Sequence, residues 1–167
     1  KEISYVTQKA SLINTSIREN VAFGAEAEDE VIKNSLDMAS SLDFVMQKEN
    51  QLDEQIFESG KNLSGGQKQR LSIARALNKK SDLLILDDSF SASDYLTERK
   101  IKNSIKTLSN ERNIAAILIS QRINSIKDCD KILVLDYGKI TGYGTHEELL
   151  NSCETYKEIY YSQERNN

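Results

Sequence analysis

Two stretches of this sequence carry residue types suited to phosphate chemistry. In KNLSGGQKQR (61–70), a serine and two adjacent glycines open what reads as a long amphipathic helix, SGGQKQRLSIARALNKK. Glycine costs about 1 kcal/mol against alanine inside a helix, so the pair needs a reason. A first helical turn has unpaired backbone N–H groups and the positive end of the helix dipole. With Ser64 as N-cap and no side chains at Gly65 and Gly66, an anion can approach that bare backbone. The second stretch is LLILDD (83–88), an apolar run that ends in Asp87 and Asp88. Carboxylates at the C-terminal end of a buried strand can reach a hydrated Mg2+, as they do at nucleotide sites. Read alone, either aspartate would serve equally as the cap of the next turn. The order of the two stretches, helix start and then acidic strand end, favours the phosphate reading.

The remaining candidates are weaker. His146, the only histidine, has no arranged serine and acid to complete a nucleophilic triad, and THEE reads as a helix start. GYG at 142–144 lacks the third glycine of a dinucleotide-binding loop. Lys68, Arg70, Arg75, Lys79 and Lys80 fit a solvated helix face better than a phosphate-binding one. A formal charge of −4 and a pI near 5.2 argue against a nucleic-acid partner held by bulk electrostatics. Cys129 and Cys153 have no metal-ligand spacing and read as a reduced pair. No apolar run approaches the length of a membrane span, and KEISYVTQ is no signal peptide.

The elements that must hold these residues follow from periodicity. ISYV (3–6) is a short strand, and TSIRENVAF has capping-box spacing at Ser16 and Glu19. Residues 28–48 read as helical, with Ile32, Leu36, Ala39 and Leu42 as the buried stripe. QLDEQIFESGKN is irregular and leads into the glycine pair. DLLILDD reads as a strand buried on both faces, and IAAILIS (114–120) as another buried strand. Between them DYLTERKIKNSIKTLS fits a helix that buries Ile101, Ile105 and Leu108. KILVLDYGKITGYG reads as a hairpin turning near Tyr137 and Gly138, and HEELLNSCETYKEIYYSQ as helical. Strands alternating with helices predict an α/β protein with a partly parallel sheet.

In that order the motifs resemble those of a family. LSGGQKQRLSIARAL resembles the signature of ABC (ATP-binding cassette) ATPases, and LLILDD resembles their Walker B strand. SASD (91–94) stands where the family has its D-loop. YVTQ (5–8) is similar to the end of the strand that carries the Q-loop glutamine, here Gln8. EQIFESGKN (54–62) resembles the X-loop of exporters. SQRINSI, DKILVLDYGKI and GYGTHEELL resemble the region after the switch residue of exporter-type cassettes.

The resemblance implies a partial P-loop NTPase fold, with a mostly parallel sheet and an α-helical subdomain. The helical subdomain is expected at about 9–75 and the rest of the core at 1–8 and 76–167, all within one domain. It implies ATP and Mg2+ as cofactors. Gln8 would sense Mg2+ and the γ-phosphate, and Asp87 would hold Mg2+ through water. Ser64, Gly65, Gly66 and Gln67 would face ATP held by a second cassette in a head-to-tail dimer, and Asp94 would cross the dimer interface. The other implied partner is the transmembrane domain of an exporter, which would place this chain at the cytoplasmic face of a membrane.

Three departures from the family pattern shape the expectation. Asp88 stands where the family has a catalytic glutamate, and its carboxylate is one methylene shorter. Gln121, after Ser120, stands where the family has the switch histidine. Together these resemble the degenerate subunit of a heterodimeric exporter, with a slow but working homodimer as the alternative. Finally, the chain has no G-x-x-x-x-G-K-S/T loop. The expectation is a C-terminal excerpt of a longer protein that alone hydrolyses no ATP. Two rivals are a non-catalytic cassette-shaped module and a DNA-repair ABC ATPase. The short stretch from Gln8 to Ser64, without heptads, disfavours the latter.

Overall fold

A computed structural model describes residues 2–165 and divides the chain into two compact units, Lys1–Ile119 and Ser120–Asn167. The first unit is built on three parallel strands in the order β1-β2-β3: β1 (Ile3–Val6), β2 (Leu83–Asp87) and β3 (Ala115–Ile119). Tyr5 lies opposite Ile85, which lies opposite Ile117, and Asp87 lies opposite Ile119. Between β1 and β2 run α1 (Ile17–Ala22), α2 (Asp29–Met38), α3 (Leu42–Met46) and α4 (Gly65–Asn78). The helix α5 (Tyr95–Arg112) joins β2 to β3. Parallel neighbours need such crossovers, so the α/β class predicted from the alternation is the class observed.

One face of the sheet is packed. Val6, Leu84 and Leu86 are buried there with Leu71, Ile73 and Leu77 of α4 and Ile101, Ile105 and Leu108 of α5. The opposite face differs from expectation. Ile3, Tyr5, Ile117 and Ile119 are each about half exposed, and Leu83 and Ile85 are half-buried. The strands read as buried on both faces are buried on one. An unbroken apolar run shows what both faces are made of, and says nothing of what packs on each.

The predicted helix over 28–48 is two helices. Leu36, Asp37, Ser40 and Ser41 close α2 with a paired C-terminal motif. The Ser41 N–H donates to Leu36 O at 2.7 Å and the Ser40 N–H to Asp37 O at 2.8 Å, with Ser40 left-handed at φ 53°. Leu42 consequently starts α3 half-buried instead of extending the α2 stripe. Serine in that conformation, where glycine is usual, gives no sequence signal for the break.

In the second unit, β4 (Ile132–Asp136) and β5 (Lys139–Gly144) form the predicted antiparallel hairpin. Tyr137 and Gly138 both have positive φ, 45° and 75°, as a two-residue turn matched to strand twist requires. The helices α6 (Ile123–Ile126), α7 (His146–Ser152) and α8 (Glu154–Glu164) complete the unit. His146 is a packing residue: its Nδ1 lies 2.8 Å from the Tyr156 hydroxyl, and its ring meets Tyr160 edge-on. Burial pushes the Tyr156 hydroxyl up to about 12. Among the described residues no helix is long and apolar enough to cross a membrane.

Candidate functional site

The first group of site residues gathers at the C-terminal ends of β1 and β2, the sheet edge where open α/β folds bind ligands. Gln8 follows β1 and donates from Nε2 to Asp88 Oδ2 at 3.1 Å. The Tyr5 hydroxyl donates to Asp87 Oδ2 at 2.6 Å. Donating that bond to a carboxylate raises the tyrosine above its ordinary pKa. Asp88 has a left-handed backbone, φ 43°, fixed by its N–H to Ile119 O at 2.8 Å and by the Ser91 hydroxyl to its carbonyl at 3.0 Å. A short polar side chain tolerates that conformation better than most. Two carboxylates, each with one oxygen engaged, make a hard-oxygen pair. Mg2+ keeps several waters and takes only one or two protein carboxylates, so Asp87 and Asp88 fit it.

The second group is the start of α4. Ser64 caps the helix: its hydroxyl accepts from Gln67 N–H at 3.2 Å, and Gln67 Oε1 accepts from Ser64 N–H at 3.0 Å. The S-x-x-Q spacing signals this reciprocal box as clearly as Ser16 and Glu19, which also form theirs. Gln67 is thus engaged within its own helix. The two glycines have different surroundings. A Cβ at Gly65 would meet nothing within 4 Å, whereas one at Gly66 would lie 3.1 Å from Ala92 O. Gly65 leaves an open surface, and Gly66 makes room for the loop that follows Asp88.

Helix α4 also grips the chain on both sides of Gln8. Buried Gln69 donates to Thr7 O at 3.1 Å. Arg75 donates to Ser11 O at 2.9 Å, Asn20 O at 2.7 Å and Asn20 Oδ1 at 2.6 Å, beneath the Phe23 ring. Arg70 is half-buried against the Phe44 ring. The solvated face assigned to these arginines is therefore wrong for Arg70 and Arg75. Charge alone cannot show that a guanidinium is spent on main-chain carbonyls.

The profile described as ABC transporter matches residues 1–91, more than half the chain. The chain belongs to the ABC transporter family. It is 40% identical over 166 residues to the ATP-dependent lipid A-core flippase of Pasteurella multocida (strain Pm70), covering 98% of this chain and 28% of that protein. It is 37% identical over 160 residues to a putative export ATP-binding/permease protein of Rickettsia bellii (strain RML369-C), covering 96% and 28%. A solved bacterial Atm1-family ABC exporter with ATP bound superposes with a TM-score of 0.90 at 33% identity, over 96% of this chain and 28% of that one. This ABC transporter chain thus spans 28% of the length of each of these relatives. Its fold is that of the exporter ATPase domain, as the motif order implied.

The last two site residues of this ABC transporter chain are Asp94 and Gln121. Asp94 is the N-cap of α5: Oδ1 accepts from Thr97 N–H at 3.0 Å and Oδ2 from the Thr97 hydroxyl at 2.8 Å. Those bonds, the backbone one first, hold its carboxyl below the usual range. Gln121 opens the second unit with an exposed side chain. Its carbonyl accepts from Gln163 Nε2 at 2.8 Å, while Gln163 Oε1 accepts from Ile123 N–H at 3.0 Å. Gln163 pins the 121–123 segment from α8, a contact between distant positions with no local sequence signal.

The glycine pair yields a direct comparison. Gly66→Ala is expected to displace the 91–94 loop, because Ala92 O must yield by a few tenths of an ångström. Gly65→Ala should leave that loop unchanged and firm the helix by up to about 1 kcal/mol. Hydrogen exchange of the Ser91–Asp94 amides in the full-length protein reads the difference. Faster exchange in Gly65→Ala than in Gly66→Ala contradicts it.

Proposed function

We propose that this chain is the ATP-binding part of an ABC exporter subunit, coupling ATP binding and hydrolysis to movement of a substrate across a membrane. Residues 9–75 supply its helical subdomain, and 1–8 with 76–167 the rest of the core. It works at the cytoplasmic face, beneath a transmembrane domain and head-to-tail with a second cassette, in a heterodimer. The names of the flippase and export ATP-binding/permease relatives support the exporter reading.

One observation carries the division of labour. The α4 start is open at Gly65, while the positions for catalysis hold Asp88 and Gln121. Ser64 and the first-turn amides of Gly65 and Gly66 bind phosphate of ATP held by the partner cassette. Gln67 keeps that turn formed, and Asp94 fixes the start of α5 at the dimer interface. In this chain's own site Asp87 holds Mg2+ through water and Gln8 reports on it. Bound Mg2+ would supply charge neutralisation at the β- and γ-phosphates. Asp88 is too short to place a general base against the attacking water, and Gln121 donates to phosphate without positive charge. Gln8 already holds Asp88 Oδ2, which orients the shorter carboxylate toward β1.

The test restores the family residues in the full-length protein. Asp88→Glu combined with Gln121→His is expected to raise single-turnover hydrolysis at this site. Either change alone gives less than its share, because base and switch act as a unit. No rise from the double variant overturns the assignment of these two positions.

A further inference from the structure

We infer that Tyr5 is a positioning residue for the carboxylate of Asp87. The inference rests on the proposed reading of Asp87 as a metal-holding group. The bond from the Tyr5 hydroxyl to Asp87 Oδ2, at 2.6 Å, has the length of a charge-assisted O–H···O− contact. It arises from register. Tyr5 lies opposite Ile85, so Asp87 stands two residues further along on the same side of β2, about 6.6 Å away at strand rise. A phenol spans that gap; a serine or threonine in its place would fall short.

The surroundings say what the bond is for. Asp87 and Asp88 each have one oxygen held by a neutral donor from the β1 segment, Tyr5 for the first and Gln8 for the second. Among the described residues neither carboxylate is in an ion pair with lysine or arginine. Their orientation is therefore fixed while their negative charge stays uncompensated. A purely structural acid at a strand end is better served by a cation, which would cancel the charge. Carboxylates that hold a metal are instead hydrogen-bonded by neighbours that orient them, and loss of such a neighbour weakens metal binding about 10- to 100-fold.

The experiment uses the full-length protein in its native assembly, with Mn2+ as the probe and a non-hydrolysable ATP analogue present. Unbound Mn2+ is read by electron paramagnetic resonance, and thermal unfolding is recorded in parallel. Asp87→Asn defines which sites belong to this chain, as those it removes or weakens. At those sites Tyr5→Phe, which keeps the ring and deletes the hydroxyl, is expected to weaken Mn2+ at least about 10-fold with an unchanged unfolding midpoint. Unchanged Mn2+ affinity in Tyr5→Phe, with Asp87→Asn still weakening it, overturns the role of Tyr5 alone. So does a lowered midpoint without loss of Mn2+ affinity, which marks a hydroxyl that only stabilises the fold. If Asp87→Asn itself leaves Mn2+ binding unchanged, the reading of Asp87 fails, and the role of Tyr5 with it.

Discussion

Gly65→Asp in the full-length protein is expected to lower steady-state ATP hydrolysis at least about 100-fold while leaving the fold intact. The fold should tolerate the change because a side chain at this position meets no neighbour within 4 Å. A carboxylate in the first turn also complements the helix dipole. The damage falls on function. The same open surface is where a partner's phosphate must approach under the proposed reading, and the new charge has the same sign in a partly desolvated interface. Loss of a single preorganised anion donor costs about 10²–10³ in turnover, and here a donor surface becomes a repulsive one. ATPase rate and unfolding midpoint, measured on the same preparation, separate this from misfolding. A variant that stays folded and hydrolyses ATP normally would show that phosphate does not approach Gly65.

Asn20→Leu is expected to destabilise the region around Gln8 by about 3–5 kcal/mol. Asn20 is 1% exposed and uses its whole amide. Oδ1 accepts from the Ile13 N–H at 3.0 Å and from Arg75 Nη2 at 2.6 Å. Nδ2 donates to Ile13 O at 2.9 Å and Ser16 O at 3.0 Å. Leucine has nearly the same size and none of these groups, so it leaves the Ile13 amide without its acceptor. It also takes from the half-buried Arg75 guanidinium the acceptor of its Nη2, while the Asn20 and Ser11 main-chain carbonyls remain. Since 1.4 kcal/mol is a factor of ten, amide exchange across 11–23 should speed up more than about 100-fold. The amides of α5, away from this network, should hold. Equal acceleration in both would mean that the network is not local.

What the sequence made legible was set by local signals. The caps at Ser16 and Ser64 sit where S-x-x-E and S-x-x-Q place them, because a cap is a bond between residues three apart. The hairpin turn at Tyr137 and Gly138 was readable for the same reason. The order of Gln8, the glycine pair and the two aspartates carried the family. What was missed depends on non-local partners. Arg75 looks solvated on a helical wheel, yet it binds carbonyls at Ser11 and Asn20, which precede it by more than fifty positions. Tyr5 read only as an apolar strand residue, since nothing local says that Asp87 will stand two residues beyond its partner. Ser40 broke a helix in a conformation that serine seldom advertises.

The central claim is that this subunit contributes to hydrolysis chiefly through its signature and little through its own catalytic positions. The most direct measurement is ATP turnover by the purified full-length assembly at saturating ATP, comparing Asp88→Asn with Gly65→Asp and the unaltered protein. Asp88→Asn should retain most of the turnover, because the site it alters is already impaired, whereas Gly65→Asp should abolish it. If Asp88→Asn stops turnover as completely as Gly65→Asp does, this chain's own site is a working one and the account is contradicted.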